Sequence, residues 1–320
     1  MIKTAMIGLG AIGERLLDKF RSHEDIQLAA ICEQNEEKVA AFRSRLPEVS
    51  FYTDYKEMLN EPFDLVYIGV PPKFHHDIAL YAMEKGIHVI CEKPLANSLE
   101  EAEEMAAAAK KAGVVNAINF PLMYSKAVYT LKEKAANGEI GELKRVELKI
   151  HHAKWPRPWQ ENAWIGGREQ GGFIREISPH YIQLMHDVLG ELKNVEANVQ
   201  YPEDEALCET GVIASMELAD GTPVLVDGLS GIGQEDHVLF KLYGEKGTLS
   251  LVNWGTLEQG TAASPSEEIQ PLTDAPSVDL ISETVKAIKG QDSKIVTFED
   301  GLRVQEILEQ LLGKGTKVHN

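Results

Sequence analysis

The sequence predicts an α/β protein of two domains, a doubly wound parallel sheet at the N-terminus followed by an α/β domain with an open, mostly antiparallel sheet. The chain has 320 residues, which favours two domains at ~100 to 200 residues each. Its first third alternates short β-rich runs with helix-like stretches, the pattern of parallel βαβ units. Its later strands are separated by short turns, which favours antiparallel pairing. We expect the first domain to span residues 1–120 and the second residues 121–320.

The predicted strands of the first domain are short and apolar, as strands buried on both faces are. They are Ile2 to Ile7, Ile26 to Cys32, Asp64 to Val70, Ile87 to Cys91 and Val114 to Asn119. Helices are predicted near 11–22, 36–45, 73–85 and 99–112, and the last begins with Ser98-Leu99-Glu100-Glu101, the spacing of a capping box.

The predicted second domain begins with a helix that ends near Asn137-Gly138 and a strand with Val146, Leu148 and Ile150 on one face. Further strands, joined by turns such as Asp220-Gly221, are predicted at 195–201, 210–218, 222–229, 236–243 and 247–253. The segment 258–277 is rich in Ser, Pro, Glu and Thr and is predicted to be an exposed loop. Helices at 278–289 and 299–312 complete the prediction.

The composition argues against several classes of partner. Lys and Arg number 32 against 50 Asp and Glu, a net charge of -18, and such a field repels nucleic-acid backbones and anionic membrane surfaces. Hydrophobic residues make up 43% of the chain, typical of a globular domain, and no apolar run approaches the ~18 residues of a transmembrane helix. Neither nucleic acid nor a membrane is expected as a partner.

Three cysteines, Cys32, Cys91 and Cys208, are too widely spaced to form a metal or redox pair. The first residues enter a predicted strand without the basic start, apolar stretch and cleavage site of a signal peptide. We therefore expect reduced thiols, a cytoplasmic location and no metal site.

A glycine-rich turn follows the first predicted strand and opens the first predicted helix, with the sequence Gly8-Leu9-Gly10-Ala11-Ile12-Gly13. In such a turn the first glycine permits a tight bend, the second lets the backbone approach a pyrophosphate, and the third lets helix and strand pack closely. The helix N-terminus adds free N–H groups and the positive end of a dipole. The turn predicts a dinucleotide site whose contacts are Gly8, Gly10, Ala11, Ile12 and Gly13. A glycine turn without a ligand is the alternative.

Glu33, at the end of the second predicted strand, is the acidic residue expected ~20 positions after the glycine turn, on the ribose 2'-hydroxyl. A carboxylate accepts a hydrogen bond from a hydroxyl and repels a 2'-phosphate, and no Arg or Lys follows Glu33 immediately. NAD is therefore favoured over NADP. A surface glutamate at a strand end is the alternative interpretation of Glu33.

The run from His88 to Pro94 carries Lys93 to the carboxyl end of a predicted parallel strand, where the ligands of open α/β sheets bind. Pro94 fixes its own φ and biases Lys93 toward an extended conformation, so the ammonium group leaves a stiff turn. A solvated surface lysine remains an equally open interpretation.

Taken together, several stretches resemble the Gfo/Idh/MocA family of oxidoreductases over most of the chain. Besides the glycine turn they are Tyr67 to His75, Gly86 to Pro94 with its Glu-Lys-Pro core, Gly171-Gly172 with Glu176 to His180, and Asp300 to Gln305. The resemblance implies a Rossmann domain followed by an α/β domain whose open, mostly antiparallel sheet often forms subunit contacts.

The resemblance also implies roles for single residues. Lys93 would lie near the nicotinamide and the substrate and stabilise negative charge on the reacting oxygen, and His180 would be the acid/base residue. Neutral imidazole, with a reference pKa of ~6.5, suits proton exchange near neutral pH. Four further residues are implied near the cofactor: Pro71, Pro72, His75 and Glu92. A histidine satisfied by hydrogen bonds is the alternative for His180.

The chain departs from the family at the second-domain motif. Family members often have Asp-x-Gly-x-His-x-x-Asp where this chain has Glu176-Ile177-Ser178-Pro179-His180-Tyr181-Ile182-Gln183. Glu176 keeps a carboxylate and is expected to contact the substrate, whereas the neutral amide of Gln183 cannot serve as a base. Asp187 is a weaker substitute, since it lies seven positions beyond His180.

A Pro-containing loop, Lys154-Trp155-Pro156-Arg157-Pro158-Trp159 and then Trp164, holds three of the chain's 4 tryptophans. Trp faces stack on the C–H surfaces of sugars and Arg binds carboxylates or hydroxyls, so Trp155, Arg157 and Trp164 are candidate substrate contacts. Tyr124 is a weaker one. Aromatic anchoring of an irregular loop or of a subunit contact is the alternative.

The leading hypothesis is an NAD(P)-dependent oxidoreductase that acts on a hydroxyl or carbonyl of a sugar, cyclitol or related polyol. One alternative is an NAD-dependent glycoside hydrolase that uses transient oxidation, and another is a nucleotide-binding regulator with little catalysis. An open sheet face with alternating apolar residues needs a cover, so a homodimer or homotetramer is expected.

Overall fold

The computed structural model describes residues 1–160 and 162–313, which divide into two compact units. The first unit comprises Met1–Phe120 and Asp279–Leu302, and the second comprises Pro121–Val278 and residues 303–313. The segment 279–302, expected in the second domain, thus packs with the first unit. Its Phe298 amide donates to Asn116 Oδ1 at 2.7 Å, a contact between residues far apart in the chain that local patterns do not reveal.

The sheet of the first unit has six strands in the order β3-β2-β1-β4-β5-β6, and each neighbouring pair is parallel. The strands are β1 (Ile2–Ile7), β2 (Ile26–Cys32), β3 (Ser50–Tyr52), β4 (Leu65–Ile68), β5 (His88–Cys91) and β6 (Asn116–Ile118). This is the predicted doubly wound sheet. The prediction missed β3, which has only three residues.

Helices connect the parallel strands, as crossovers between such strands require. They are α1 (Ala11–Ser22), α2 (Glu36–Arg45), α3 (Tyr55–Met58), α4 (His75–Glu84) and α5 (Leu99–Ala112), and a 3₁₀ turn, Pro72–Phe74, precedes α4. Ser98 is the N-cap of α5, as its spacing predicted: Ser98 Oγ accepts from the Glu101 amide at 3.3 Å. Glu101 Oε2 accepts from the amide of Asn97, one residue before the N-cap, at 3.0 Å. The helix ends at Gly113, whose φ of 65° is left-handed.

The sheet of the second unit has eight strands in the order β14-β13-β12-β11-β7-β10-β9-β8. They are β7 (Leu143–His152), β8 (Leu192–Gln200), β9 (Gly211–Leu218), β10 (Pro223–Ser230), β11 (His237–Gly244), β12 (Thr248–Val252), β13 (Thr256–Thr261) and β14 (Ser264–Ile269). The β7–β10 pair is parallel and the other described pairs are antiparallel. The predicted fold class is confirmed.

The prediction of an exposed loop at 258–277 is wrong over the first half of this segment, because β13 and β14 pair there as an antiparallel hairpin. β14 lies at the edge of the sheet, and five of its six residues are exposed. A strand that is solvated on both faces has no alternation of apolar and polar residues, so its polar composition resembles that of a loop.

The remaining helices are α6 (Lys126–Ala136), α7 (Phe173–Leu189), α8 (Leu280–Ile288) and α9 (Phe298–Leu311). α7 is the most buried of these among the described residues: every position from Phe173 to Met185 except Glu176 is buried. In β9, Val212, Ala214 and Met216 are buried, while Ile213 on the opposite face is 60% exposed.

Within residues 1–160 and 162–313, no helix combines the length and apolar character needed to cross a membrane. The same residues hold no cluster of three or more His, Cys, Asp or Glu side chains that could bind a metal ion. Cys32, Cys91 and Cys208 are buried free thiols.

Candidate functional site

The glycine turn after β1 is packed so closely that side chains are excluded from it. Gly8 has a φ of 90°, and a Cβ there would overlap the carbonyl oxygen of Gly69. A Cβ on Gly13 would lie 2.5 Å from the carbonyl oxygen of Gly8. Gly10 is the N-cap of α1, and no side chain caps that helix end. The turn therefore presents backbone amides at a helix N-terminus, an arrangement that fits a pyrophosphate.

The carboxylate of Glu33 joins this turn to the segment that follows β2. Its Oε2 accepts from the Leu9 amide and its Oε1 from the Asn35 amide, both at 2.8 Å. Each carboxylate oxygen can accept a second hydrogen bond, so Glu33 can hold the turn and still bind a ribose hydroxyl. Sequence reasoning missed the contact of Glu33 with the turn, and the ribose contact stays a prediction.

Lys38, on the first turn of α2, is the cation that approaches this region. Its Nζ donates to the Leu9 carbonyl at 2.6 Å and to Glu14 Oε1 at 2.7 Å. The ammonium charge is thus paired with a carboxylate on α1, and the Glu33 carboxylate lies beside the same backbone.

The turn after β5 places Glu92 and Lys93 at the carboxyl end of the parallel sheet, as predicted. Glu92 is partly buried, and its Oε1 accepts from the Tyr67 hydroxyl at 2.8 Å and from Asn119 Nδ2 at 2.6 Å. Burial raises the pKa of Glu92, against the opposing effect of these two donors. Tyr67 lies on β4 and Asn119 directly follows β6, so side chains from two neighbouring strands hold the residue that precedes Lys93.

Tyr67 also supports the glycine turn. It is fully buried, and a Cβ on Gly69 would lie 2.5 Å from its ring, while a Cβ on Gly13 would lie 3.8 Å from it. One buried side chain therefore contacts both the glycine turn and the glutamate beside Lys93.

His75 joins the loops after β4 and β5 through backbone carbonyls. Its Nε2 lies 2.8 Å from the Val70 oxygen, and its Nδ1 lies 3.0 Å from the Pro94 oxygen and 3.3 Å from the Leu95 oxygen. Burial lowers the pKa of His75, against the opposing effect of these carbonyl hydrogen bonds. Pro71 is partly exposed and Pro72 buried in the same loop.

In the second unit, two glycines precede α7 because no side chain fits there. A Cβ on Gly171 would overlap the carbonyl oxygen of Trp164, and a Cβ on Gly172, whose φ is 104°, would overlap the carboxylate of Glu209. Glu209 Oε1 accepts from the Ile174 amide at 2.7 Å, in the first turn of α7. A buried carboxylate thus occupies the positive end of the helix that carries His180.

Glu209 is 2% exposed. Burial raises its pKa to about 7, although the Ile174 amide and the charges of Arg175 and Arg168 oppose this rise. Arg175 is itself 1% exposed and pairs with Glu309 at 3.4 Å. No motif in the sequence identified Glu209, since its partner Ile174 lies 35 positions away.

His180 is buried on α7, and its ring contacts a residue that the sequence analysis left without a role. The ring centroids of His180 and Trp254 are 5.2 Å apart with an interplanar angle of 86°. Gln183, one helical turn later, is 7% exposed, and its Oε1 has no hydrogen-bond partner among the residues described. Asp187 pairs with Lys132 at 2.8 Å.

Trp155 anchors the loop that follows β7. Trp155 Nε1 donates to the Ile165 carbonyl at 3.2 Å, and its ring lies 6.2 Å from that of Phe173. The Arg157 guanidinium lies over the rings of Trp155 and Trp159, at 5.2 and 4.6 Å. Burial lowers the pKa of Arg157, and Glu176 is the leading charge that opposes this shift.

A cavity of about 560 Å³ lies against this loop, with Arg157, Gln160 and Leu207 among its lining residues. Of the predicted substrate contacts, the structure therefore places Arg157 at a cavity and near the carboxylate of Glu176. Trp164 lies in the 3₁₀ turn Ala163–Gly166, and Tyr124 ends the 3₁₀ turn Pro121–Tyr124.

Comparison with known proteins covers both units. The model of the GFO/IDH/MocA oxidoreductase family for the NAD-binding Rossmann fold matches residues 2–120. The model of the family's C-terminal alpha/beta domain matches residues 132–313. The match is thus to both halves of the chain.

Two curated relatives match shorter stretches. The chain is 39% identical over 116 residues to the scyllo-inositol 2-dehydrogenase (NADP(+)) IolU of Bacillus subtilis (strain 168), a stretch that covers 36% of this chain and 35% of the relative. It is 32% identical over 145 residues to the D-glucoside 3-dehydrogenase of Escherichia coli (strain K12), which covers 44% of this chain and 41% of the relative. The chain matches less than half of the length of either relative.

Among solved structures, levoglucosan dehydrogenase in complex with NADH aligns with a TM-score of 0.82 at 21% identity, over 99% of this chain and 97% of that one. At this identity the likeness shows the fold alone, and it agrees with the two sheets described above.

Proposed function

Since the chain belongs to the Gfo/Idh/MocA oxidoreductase family, as its motifs predicted, we propose that it transfers hydride between a nicotinamide cofactor and a hydroxyl or carbonyl carbon of a sugar, cyclitol or related polyol. The observation that carries the proposal is the glycine turn, which has the form of a dinucleotide site in a chain that matches an NAD-binding family model. The similarity to dehydrogenases of scyllo-inositol and of a D-glucoside supports the substrate class. Residues 1–120 would bind the cofactor, and residues 121–320 the substrate.

The residues that would hold the cofactor lie in the first unit. Gly10, Ala11, Ile12 and Gly13 would bind the pyrophosphate through backbone amides. Gly8, whose amide donates to the Cys32 carbonyl at 2.9 Å, would permit the bend, and Glu33 would accept from the ribose. Pro71 and Pro72 would line the cofactor's binding surface, and His75 and Glu92 would act beside it through the loops they hold. When bound, the nicotinamide supplies the acceptor or donor of the hydride.

NAD is the cofactor we propose, although one similar relative is named for NADP(+). A 2'-phosphate beside Glu33 would meet a carboxylate, and the nearby Lys38 already pairs with Glu14 at 2.7 Å. The kcat/KM for NAD should exceed that for NADP at least about tenfold, which is ~1.4 kcal/mol. The Glu33→Gln variant should lower the ratio of kcat/KM for NAD to that for NADP. A wild-type preference for NADP would contradict the proposal that NAD is the cofactor.

Lys93 and His180 would carry the charge and the proton. The Lys93 ammonium would stabilise negative charge on the reacting oxygen, and the neutral His180 imidazole would accept the proton of the hydroxyl. Contacts to the rest of the substrate would come from Tyr124, Trp155, Arg157, Trp164 and Glu176. Trp faces and Arg and Glu hydrogen bonds are the chemistry that recognises a polyhydroxylated ring.

The test is a panel of cyclitols, sugars and sugar acids, offered to the purified protein with NAD and separately with NADP. We expect at least one substrate to produce reduced-nicotinamide absorbance. Lys93→Met and His180→Asn should each lower kcat by ~10²–10⁴, while the Kd for NAD stays within about twofold. Sugar release without net reduction would instead indicate an NAD-dependent glycoside hydrolase, and tight NAD binding without turnover a nucleotide-binding regulator.

We also propose that a second copy covers the outer face of the second sheet, where Ile213 is 60% and Leu225 36% exposed. The pair Ile213→Lys and Leu225→Lys should shift the mass measured by light scattering from that of a homodimer or homotetramer toward that of a monomer. An unchanged mass would contradict this interface. The three free thiols suit the reducing cytoplasm, which is the compartment we propose.

A further inference from the structure

The hairpin turn between β12 and β13 has an unusual backbone. Asn253 has a φ of 44° and Trp254 a φ of 75°. The left-handed region is uncommon for residues other than glycine and is an outlier for a bulky side chain such as Trp. Such conformations persist where the surroundings hold them, and they cluster at functional sites.

Two hydrogen bonds hold this turn against β11. The Asn253 amide donates to the Val238 carbonyl at 2.8 Å, and Asn253 Oδ1 accepts from the Val238 amide at 2.9 Å. The Gly255 amide also donates to the Val252 carbonyl at 3.2 Å. The backbone that carries Trp254 is therefore fixed from both sides.

The Trp254 ring rests on an aromatic row that is anchored in the core. Its centroid lies 5.3 Å from that of Tyr181, which lies 6.1 Å from that of Phe240. Tyr181 and Phe240 are fully buried. The indole also meets His180 edge to face, at 5.2 Å and 86°, which is one of the favoured geometries for aromatic pairs.

We propose that Trp254 is a positioning residue for His180: the clamped indole fixes the plane of the imidazole and covers it from water, so that the ring nitrogen stays aimed for proton transfer. This inference rests on the proposed function of His180. Misplacement of a catalytic group by about 1 Å can lower the rate by ~10². The loss of one aromatic contact that positions His180 is therefore expected to lower kcat.

Two variants separate the ring from the turn that carries it. Trp254→Gly removes the ring and keeps the turn, because glycine adopts a positive φ without strain. Trp254→Phe keeps an aromatic ring in the same place. For Trp254→Gly we expect kcat to fall about ten- to a hundredfold, with KM changed less than about threefold. Trp254→Phe should recover most of the loss, and the Kd for NAD should be the same in all three proteins.

A second measurement, the NMR titration of His180, requires no substrate. The C2 proton of His180 is assigned in NMR spectra by comparison with His180→Gln and titrated in each protein. Exposure to water favours the charged imidazole. The titration midpoint of His180 should therefore rise by about half a pH unit or more in Trp254→Gly, and in Trp254→Phe it should lie closer to the wild-type value. The titratable side chains next to His180 on its own helix are Glu176 and Tyr181, and Arg157 interacts with Glu176.

The outcomes distinguish this inference from the function on which it rests. Unchanged kcat and an unchanged midpoint in Trp254→Gly would overturn the positioning role, and so would a raised KM at unchanged kcat, which is the result for a substrate contact. Full activity of His180→Asn, with the midpoint still shifted in Trp254→Gly, would leave the contact intact and overturn the proposed role of His180.

Discussion

Glu92 next to Lys93 in the first unit, and Glu209 at the start of the helix that carries His180 in the second, both accept hydrogen bonds, but from different kinds of donor. Glu92 directly precedes Lys93, and its donors are the neutral side chains of Tyr67 and Asn119. It remains partly accessible to solvent.

Glu209 is 2% exposed, and its donor is the Ile174 amide at the start of the helix that carries His180. Arg168 and Arg175 add positive charge around it. Burial raises the pKa of both glutamates, to about 7 for Glu209. The difference indicates that Glu92 is held by neutral side-chain donors with the charge of Lys93 beside it, whereas Glu209 lies at a helix end with two arginine charges around it.

The largest expected effect is the loss of the Glu209 side chain. Glu209→Ala leaves the Ile174 amide without its acceptor and leaves Arg175 with Glu309 as its described partner, and breaking a buried charge arrangement costs ~3–5 kcal/mol of unfolding free energy. Glu92→Ala leaves two neutral donors, the Tyr67 hydroxyl and the Asn119 side-chain amide, without their acceptor. A loss of ~1–3 kcal/mol of unfolding free energy is expected. Urea unfolding resolves the two units by thiol labelling of Cys91 and Cys208, since each buried cysteine directly precedes one of the glutamates.

The matched controls are Glu92→Gln and Glu209→Gln, which keep the shape and one acceptor oxygen. Because the described hydrogen-bond donors of Glu92 are neutral side chains, Glu92→Gln should lower the free energy of unfolding less than Glu209→Gln does. Equal losses at both positions, or a larger loss at Glu92, would contradict the contrast between a neutral and a charged environment.

The pH dependence of stability sharpens the same contrast. An unfolded carboxyl titrates near 4.5 and the folded Glu209 near 7, so between these pH values the native state holds a proton that the unfolded state has lost. The contribution of Glu209 to the unfolding free energy should therefore fall as the pH rises from 4.5 to 7 and level off above 7. At 1.36 kcal/mol per unit, the fall is at most ~3 kcal/mol. The contribution of Glu209 is isolated by subtracting the free energy of unfolding of Glu209→Gln from that of the wild type at each pH. A difference that rises with pH would contradict the expected fall.

How far the sequence predicted these regions depends on how far apart their partners lie in the chain. The turn from Gly8 to Gly13 and the Glu92-Lys93 pair are contiguous, so a motif contains them. Glu209 acts on an amide 35 positions away, and Trp254, in the turn between β12 and β13, lies far along the chain from His180, whose ring it contacts. Neither contact leaves a local pattern, although the Asn253-Trp254-Gly255 turn could have been recognised by its turn residues.

The same reasoning explains the errors in the fold. The strands β1 and β2 were predicted to the residue, because buried parallel strands are continuous apolar runs. The edge hairpin of β13 and β14 has no such run, and the return of 279–302 to the first unit depends on contacts such as that of Phe298 with Asn116.

The smallest expected effect concerns a single hydroxyl in the neutral region. Tyr67→Phe removes one donor from Glu92 and should cost ~1–2 kcal/mol, since the acceptor is partly buried. Tyr52 is a matched control in the same unit, because its hydroxyl also donates to a glutamate, Glu61, at 2.8 Å but at the surface, and Tyr52→Phe should stay within ~0.5 kcal/mol. Thiol labelling of Cys91 along a urea titration measures the loss of unfolding free energy in both variants. If the two substitutions cost the same, the Tyr67 hydroxyl contributes no more than a solvated one, and Asn119 alone would hold Glu92 beside Lys93.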